Sequence, residues 1–159
     1  MKKTLGTIAV IMTVAILIGT FITAKRAIAG EIGRDGRFIA YDNGTVLDTS
    51  SNLMWAAKDN GSDMNWTNAE SYCRNYRGGG YKNWRMPTQA ELSDLYDGAA
   101  KGQNGYYLTA LLTLTACCPW ASDVTGSSAA RFNFTNGARR WSPQPTDFEA
   151  RALPVRAGK

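Results

Sequence analysis

Three cysteines and a group of arginines carry most of the chemistry available to this chain. Cys73, Cys117 and Cys118 are the only thiols among 159 residues, and there is no histidine. The lack of histidine removes an imidazole base, a Ser-His-Asp triad and the commonest metal ligand together. No Cys-x-x-Cys occurs, so dithiol exchange, c-type haem attachment and a zinc ribbon lack their signatures. Beside Cys117 and Cys118 stand Ala116 and Pro119, which supply neither base nor cation to lower a thiol pKa. A disulfide is the better expectation. Adjacent cysteines rarely bridge each other, because the geometry is strained. Cys73 is therefore expected to pair with Cys117 or Cys118, with Cys118 as the assigned partner. The remaining cysteine then acts as a small buried residue.

The arginines suggest binding. Arg131, Arg139, Arg140 and Arg151 lie close in sequence to Trp141. Guanidinium groups beside an aromatic face suit an anionic polysaccharide or an acidic protein patch. The plainer reading is a solvated hairpin surface, where charge is the rule. The overall charge of +5 says little about partners. Lys2, Lys3, Lys25 and Arg26 all belong to the first thirty residues, and from Gly30 onward 14 bases meet 13 acids. That near balance argues against a nucleic-acid footprint. Charge is nevertheless uneven: residues 31–97 carry ten acids and seven bases, and residues 131–159 six bases and two acids.

Those first residues form a unit of their own. Lys2 and Lys3 precede an apolar run over residues 4–24, long enough for a membrane-spanning helix. Ala27-Ile28-Ala29 has the small-x-small form of a signal-peptidase site. Residues 1–29 are thus expected to be a signal peptide or a membrane anchor, and residues 30–159 one extracytoplasmic domain. Membrane contact is expected only through residues 4–24, if they are retained.

Several elements must position the arginines and cysteines. Phe38–Tyr41 and residues 45–47 are short β-rich runs joined by Asp42-Asn43-Gly44, a hairpin signal. Leu53-Met54-Trp55 follows as a third strand. The stretch from Ala56 to Asn65 predicts a solvated turn; its Asp59 and Asp63 lack the spacing of a calcium loop. Trp66, Ala69, Cys73 and Tyr76 recur at helical spacing, with Asn65 as cap and Gly78 as terminator. Gly78-Gly79-Gly80 is not a phosphate loop, because it follows a helix and Lys82 precedes Asn83. It predicts a joint. Trp84 anchors that joint, Arg85 locks it through carbonyls or a carboxylate, and Pro87 fixes the approach. Thr88 and Glu91 then form a Thr-x-x-Glu capping box for a second helix reaching about Tyr96. Leu108–Leu114 suits helix or strand alike. Cys117–Ser122 predicts a strand carrying Trp120, Arg131–Trp141 a hairpin turning at Asn136-Gly137, and Ala150–Arg156 a closing strand with Pro154 at an edge or bulge.

In this order the pieces resemble the bacterial Lcl C-terminal domain family. The resemblance rests on Asp42-Asn43-Gly44-Thr45, Leu53-Met54-Trp55, Trp66 to Cys73, and Gly79 to Leu92 with its Trp84-Arg85-Met86-Pro87-Thr88 core. Trp120-Ala121-Ser122, the Phe132 hairpin and Pro154-Val155-Arg156 match more loosely. The likeness spans roughly residues 36–156 and implies an α+β, C-type-lectin-like fold: two short helices on a twisted antiparallel sheet, with a long loop region. In that fold the first-helix cysteine pairs with one in the last strand. Here the last strand has none, so the staple must go to Cys117 or Cys118. Gln144-Pro145-Thr146 lacks the carboxylate of the animal lectins' calcium and sugar element, so that chemistry does not transfer.

Function is therefore expected to be non-enzymatic: an extracytoplasmic binding or adhesion module for an anionic glycan or an envelope protein. No cofactor and no metal are expected. A membrane-tethered assembly component is the alternative. A cysteine-dependent oxidase, like the formylglycine-generating enzymes of the same fold, is the remote one. The expected ligand face is Arg131, Arg139, Arg140, Trp141 and Arg151. Trp66, Cys73, Trp84, Arg85, Pro87, Thr88, Glu91 and Trp120 are expected to be structural.

Overall fold

A computed structural model describes residues 29–99 and 101–158. The apolar run over residues 4–24 and the cleavage motif at Ala27 and Ile28 lie outside them. Among the described residues no helix is long and apolar enough to cross a membrane.

The fold is α+β, with two helices and two sheets. The first sheet joins β1 (Glu31–Asp35), β2 (Phe38–Tyr41), β3 (Thr45–Asp48), β4 (Leu53–Ala56) and β9 (Val155–Ala157), in that order and wholly antiparallel. The second runs β7 (Ala138–Pro143), β6 (Ser128–Asn133), β5 (Cys118–Thr125) and β8 (Ala150–Arg151). The β5–β8 contact is parallel. The expected single sheet is thus two layers with one parallel junction.

The β2–β3 hairpin forms where Gly44 takes φ +77, a left-handed conformation that costs glycine little. β1 has no counterpart in the sequence reading. Its residues are mostly exposed, so the alternation of a half-buried strand is absent. Leu108–Leu114 is neither helix nor strand; its alternating leucines, Leu108, Leu112 and Leu114, are simply buried.

Helix α1 (Trp66–Asn75) is capped by the Asn65 side chain, which accepts from Asn68 N–H. Its inner face, Ala69 and Cys73, packs with Trp120, Met86, Ala129 and Ala150. Helix α2 (Gln89–Leu95) starts in the Thr88–Glu91 capping box, both halves of which are made. Its Leu92 and Leu95 join the main core around Trp55, Phe132, Phe134 and Val155. Between the helices the three glycines form one short 3-10 turn, with Gly79 at φ +64. The Tyr76 ring folds onto Gly78, so a Cβ there would push that ring aside.

The C-terminal residues stitch these parts together. Val155 pairs with both β4 and Arg85, exchanging backbone hydrogen bonds of 2.8 and 3.0 Å with the latter. Ala56 donates to the Pro154 carbonyl and Asn60 to the Ala152 carbonyl.

The cysteines correct the expected pairing. Cys117 and Cys118 bridge each other, and Cys73 is a free, buried thiol. The expected Cys73–Cys118 bond is not made. Cys73 instead lies in the buried cluster that also holds Trp120, inside the apolar contact between α1 and the second sheet.

Candidate functional site

The structure separates the five candidate ligand residues into two kinds. Arg131 is only 9% exposed. Its guanidinium sits 5.1 Å over the Trp120 ring and donates to the carbonyls of Phe148 and Glu149 at 3.1 and 3.0 Å. Desolvation lowers its pKa from the ordinary guanidinium value. Arg151 is likewise engaged. It donates to Thr115 Oγ1 at 2.7 Å and pairs with Asp63 and, at 3.9 Å, with buried Asp59. Asp59 in turn accepts from the Thr115 backbone N–H at 2.6 Å. The loop expected to be a solvated turn is therefore anchored by a buried carboxylate. Arg131 and Arg151 hold loops in place and present no free guanidinium to a ligand, which corrects two of the five assignments. Neither engagement is legible locally, because these hydrogen-bonding and ion-pair partners lie 17 to 92 residues away along the chain.

Arg139, Arg140 and Trp141 stand apart. All three are exposed on β7, the outermost strand of its sheet. Trp141 is 50% exposed. The described residues provide no side-chain hydrogen bond or ion pair to Arg139 or Arg140. Register fixes their directions: Arg139 lies opposite Phe132, Arg140 opposite Arg131 and Trp141 opposite Ala130. Directly opposite residues share a face. Arg139 and Trp141 therefore share one face of the sheet and Arg140 has the other. Gln89, the first residue of α2, holds the strand pair rigid. Its Nε2 donates to the carbonyls of Arg131 and Arg140 at 3.1 and 3.2 Å, and its backbone N–H donates to Asp123 at 2.7 Å.

Among the described residues no group of three or more Cys, Asp or Glu side chains is placed to hold a metal ion. Burial pushes the Cys73 thiol up to about 12, so it stays protonated at neutral pH. The Tyr72 and Tyr76 hydroxyls are also raised, chiefly by burial. A groove of about 430 Å³ runs along α1 between Tyr72, Tyr76, Asn68 and Asn75. A second, about 340 Å³, lies between Asp35, Arg37, Asp94 and Asp97, where Arg37 is tied to Asp48 at 3.3 Å and to the Asp94 carbonyl.

The residues expected to be structural are placed as follows. Trp84 is 3% exposed and meets Tyr76 edge-on at 5.0 Å. Trp66 donates its indole N–H to the Ala121 carbonyl, and Trp120 donates to that of Met64. Pro87 accepts from Ser122 N–H at 2.8 Å. Arg85 grips Glu91, whose pKa is lowered. Burial alone would raise that carboxyl, but the Arg85 hydrogen bonds and the Thr88 N–H outweigh it.

The family model of the Lcl C-terminal domain matches residues 44–156, most of the chain. The chain belongs to this family. The match begins at Gly44 in the β2–β3 turn and ends at Arg156 in β9, so the Lcl C-terminal domain includes both helices and the β7 surface, whereas β1 and β2 precede it. No curated protein matches the chain.

Proposed function

We propose that this Lcl C-terminal domain protein is a non-enzymatic, extracytoplasmic binding module that holds an anionic polymer against the β7 surface. One observation carries the reading: Arg139, Arg140 and Trp141 are exposed together on a strand that α2 braces, and among the described residues no carboxylate forms an ion pair with either arginine. Unpaired guanidinium groups on a fixed scaffold bind carboxylate, sulfate or phosphate at little ordering cost. The buried Cys73 thiol and the joined Cys117 and Cys118 favour binding over cysteine-dependent oxidation. The two helices and the antiparallel strands suit a C-type-lectin-like scaffold. The apolar run over residues 4–24 supports delivery outside the cytoplasm, either released or tethered.

Retention of the full chain on a heparin column, used as a generic polyanion, tests the reading. We expect retention at low salt that disappears in Arg139→Ala/Arg140→Ala. No retention of the wild-type protein at low salt would refute it. Mass spectrometry of native material separates the released form, starting near Gly30, from a tethered form that keeps Met1.

A further inference from the structure

We infer that β7 is a docking edge for an extended, acidic segment of another protein, which joins the second sheet as an additional strand. This deepens the proposed function and rests on it, by naming the class of polyanion.

Three observations converge. β7 is hydrogen-bonded to β6 along its whole length, from Ala138–Asn133 to Pro143–Ser128, and to no other strand. Alternate N–H and C=O groups of an edge strand point away from its neighbour, ready to pair with another chain. Within the described residues no backbone hydrogen bond reaches 139–142 from that side. The second observation is the division of charge across the sheet. Arg139 and Trp141 share one face and Arg140 takes the opposite one. A ligand lying on either face meets one arginine. A chain running along the edge, with consecutive side chains alternating between faces, meets both. Two adjacent carboxylates on such a strand would each find a guanidinium. The third is the choice against self-pairing. Two β7 strands joined edge to edge would bring arginines together, and like charges across a strand pair are destabilising. The edge is thus guarded against its own copy and complementary to an acidic one. Edge pairing of this kind takes affinity from the main chain and specificity from alternate side chains.

The test uses a blocked synthetic peptide of about six residues, the length of a typical strand, with two consecutive glutamates flanked by valine and threonine. Its partner is the same peptide N-methylated at alternate residues, which keeps charge and removes strand donors. We expect the full chain to bind the first peptide and protect β7 amides from hydrogen exchange. N-methylation should weaken binding by about tenfold or more, the loss of one or two main-chain hydrogen bonds. Arg139→Glu/Arg140→Glu should abolish binding and accept a peptide carrying lysines instead. Equal binding of both peptides would overturn the inference, as would heparin retention without peptide binding; in the latter case the polyanion reading survives alone. Failure with both probes removes both readings. Self-association without peptide binding, lost in the charge-reversed variant, would assign the edge to a second copy and also overturn the inference.

Discussion

The Arg85 guanidinium holds the Glu91 carboxylate through two hydrogen bonds, 2.7 and 2.6 Å long, while the same carboxylate accepts the Thr88 N–H at 2.8 Å. One side chain thus starts α2 and closes the joint behind it. Arg85 also exchanges backbone hydrogen bonds with Val155, so the helix start is fastened to the last strand of the first sheet.

Glu91→Gln keeps an acceptor for the Thr88 N–H but loses the ion pair with half-exposed Arg85, and should lower stability by about 0.5–1 kcal/mol. The pH dependence has a definite sign. The Glu91 pKa is lower folded than unfolded, so its contribution is present above the ordinary carboxylate pKa. It is lost as pH falls through the folded value. Urea midpoints measured from neutral to acid pH should decline in the wild type, and less steeply in the variant.

Thiol counting tests the cysteine pairing. Unreduced protein should expose one thiol in denaturant, Cys73, and none when native, because that thiol is buried and protonated. Reduction should raise the count to three. A fragment cross-linked through Cys73 in peptide mapping would contradict the structure.

Arg131→Ala and Arg139→Ala should behave differently. Arg131→Ala strands the Phe148 and Glu149 carbonyls beside a buried site and should cost about 2–3 kcal/mol, typical of lost charged hydrogen bonds. Arg139→Ala touches an exposed side chain with no hydrogen-bond or ion-pair partner among the described residues and should change stability by less than about 0.5 kcal/mol. Equal thermal shifts would show that the division between internal and external arginines is wrong.

Gly137→Ala tests the hairpin seat. Gly137 has φ +73, and a Cβ there would lie 2.9 Å from the Tyr96 ring. We expect a loss of roughly 1–3 kcal/mol from backbone strain and displacement of Tyr96. An unchanged melting temperature would refute this.

What could be read from the sequence follows the range of the interactions. The Asn43-Gly44 hairpin, the Asn65 cap and the Thr88–Glu91 box are settled within a few residues, and each forms as its local pattern suggests. Arg85 also met a carboxylate six residues on. By contrast, nothing near Arg151 indicates Asp59, and nothing near Arg131 indicates the Phe148 turn. Four arginines close in sequence therefore looked like one surface, and tertiary packing drew two of them inward. The pairing of Cys117 with Cys118 escaped for a related reason. General geometry disfavours it, and the burial of Cys73 in the cluster with Trp120 is a property of the assembled core. Exposed β1 lacked any apolar rhythm to reveal it.

The stitching of residues 150–157 into β4, Arg85 and the Asn60 loop bears on how the polypeptide is made. Emerging from the ribosome N-terminus first, the early hairpins cannot complete their sheet until β9 has been made, because β9 is its closing strand. Nascent chains should therefore stay unlocked and protease-sensitive up to that point. A copy ending before β9 should be degraded instead of persisting as a partly working fragment.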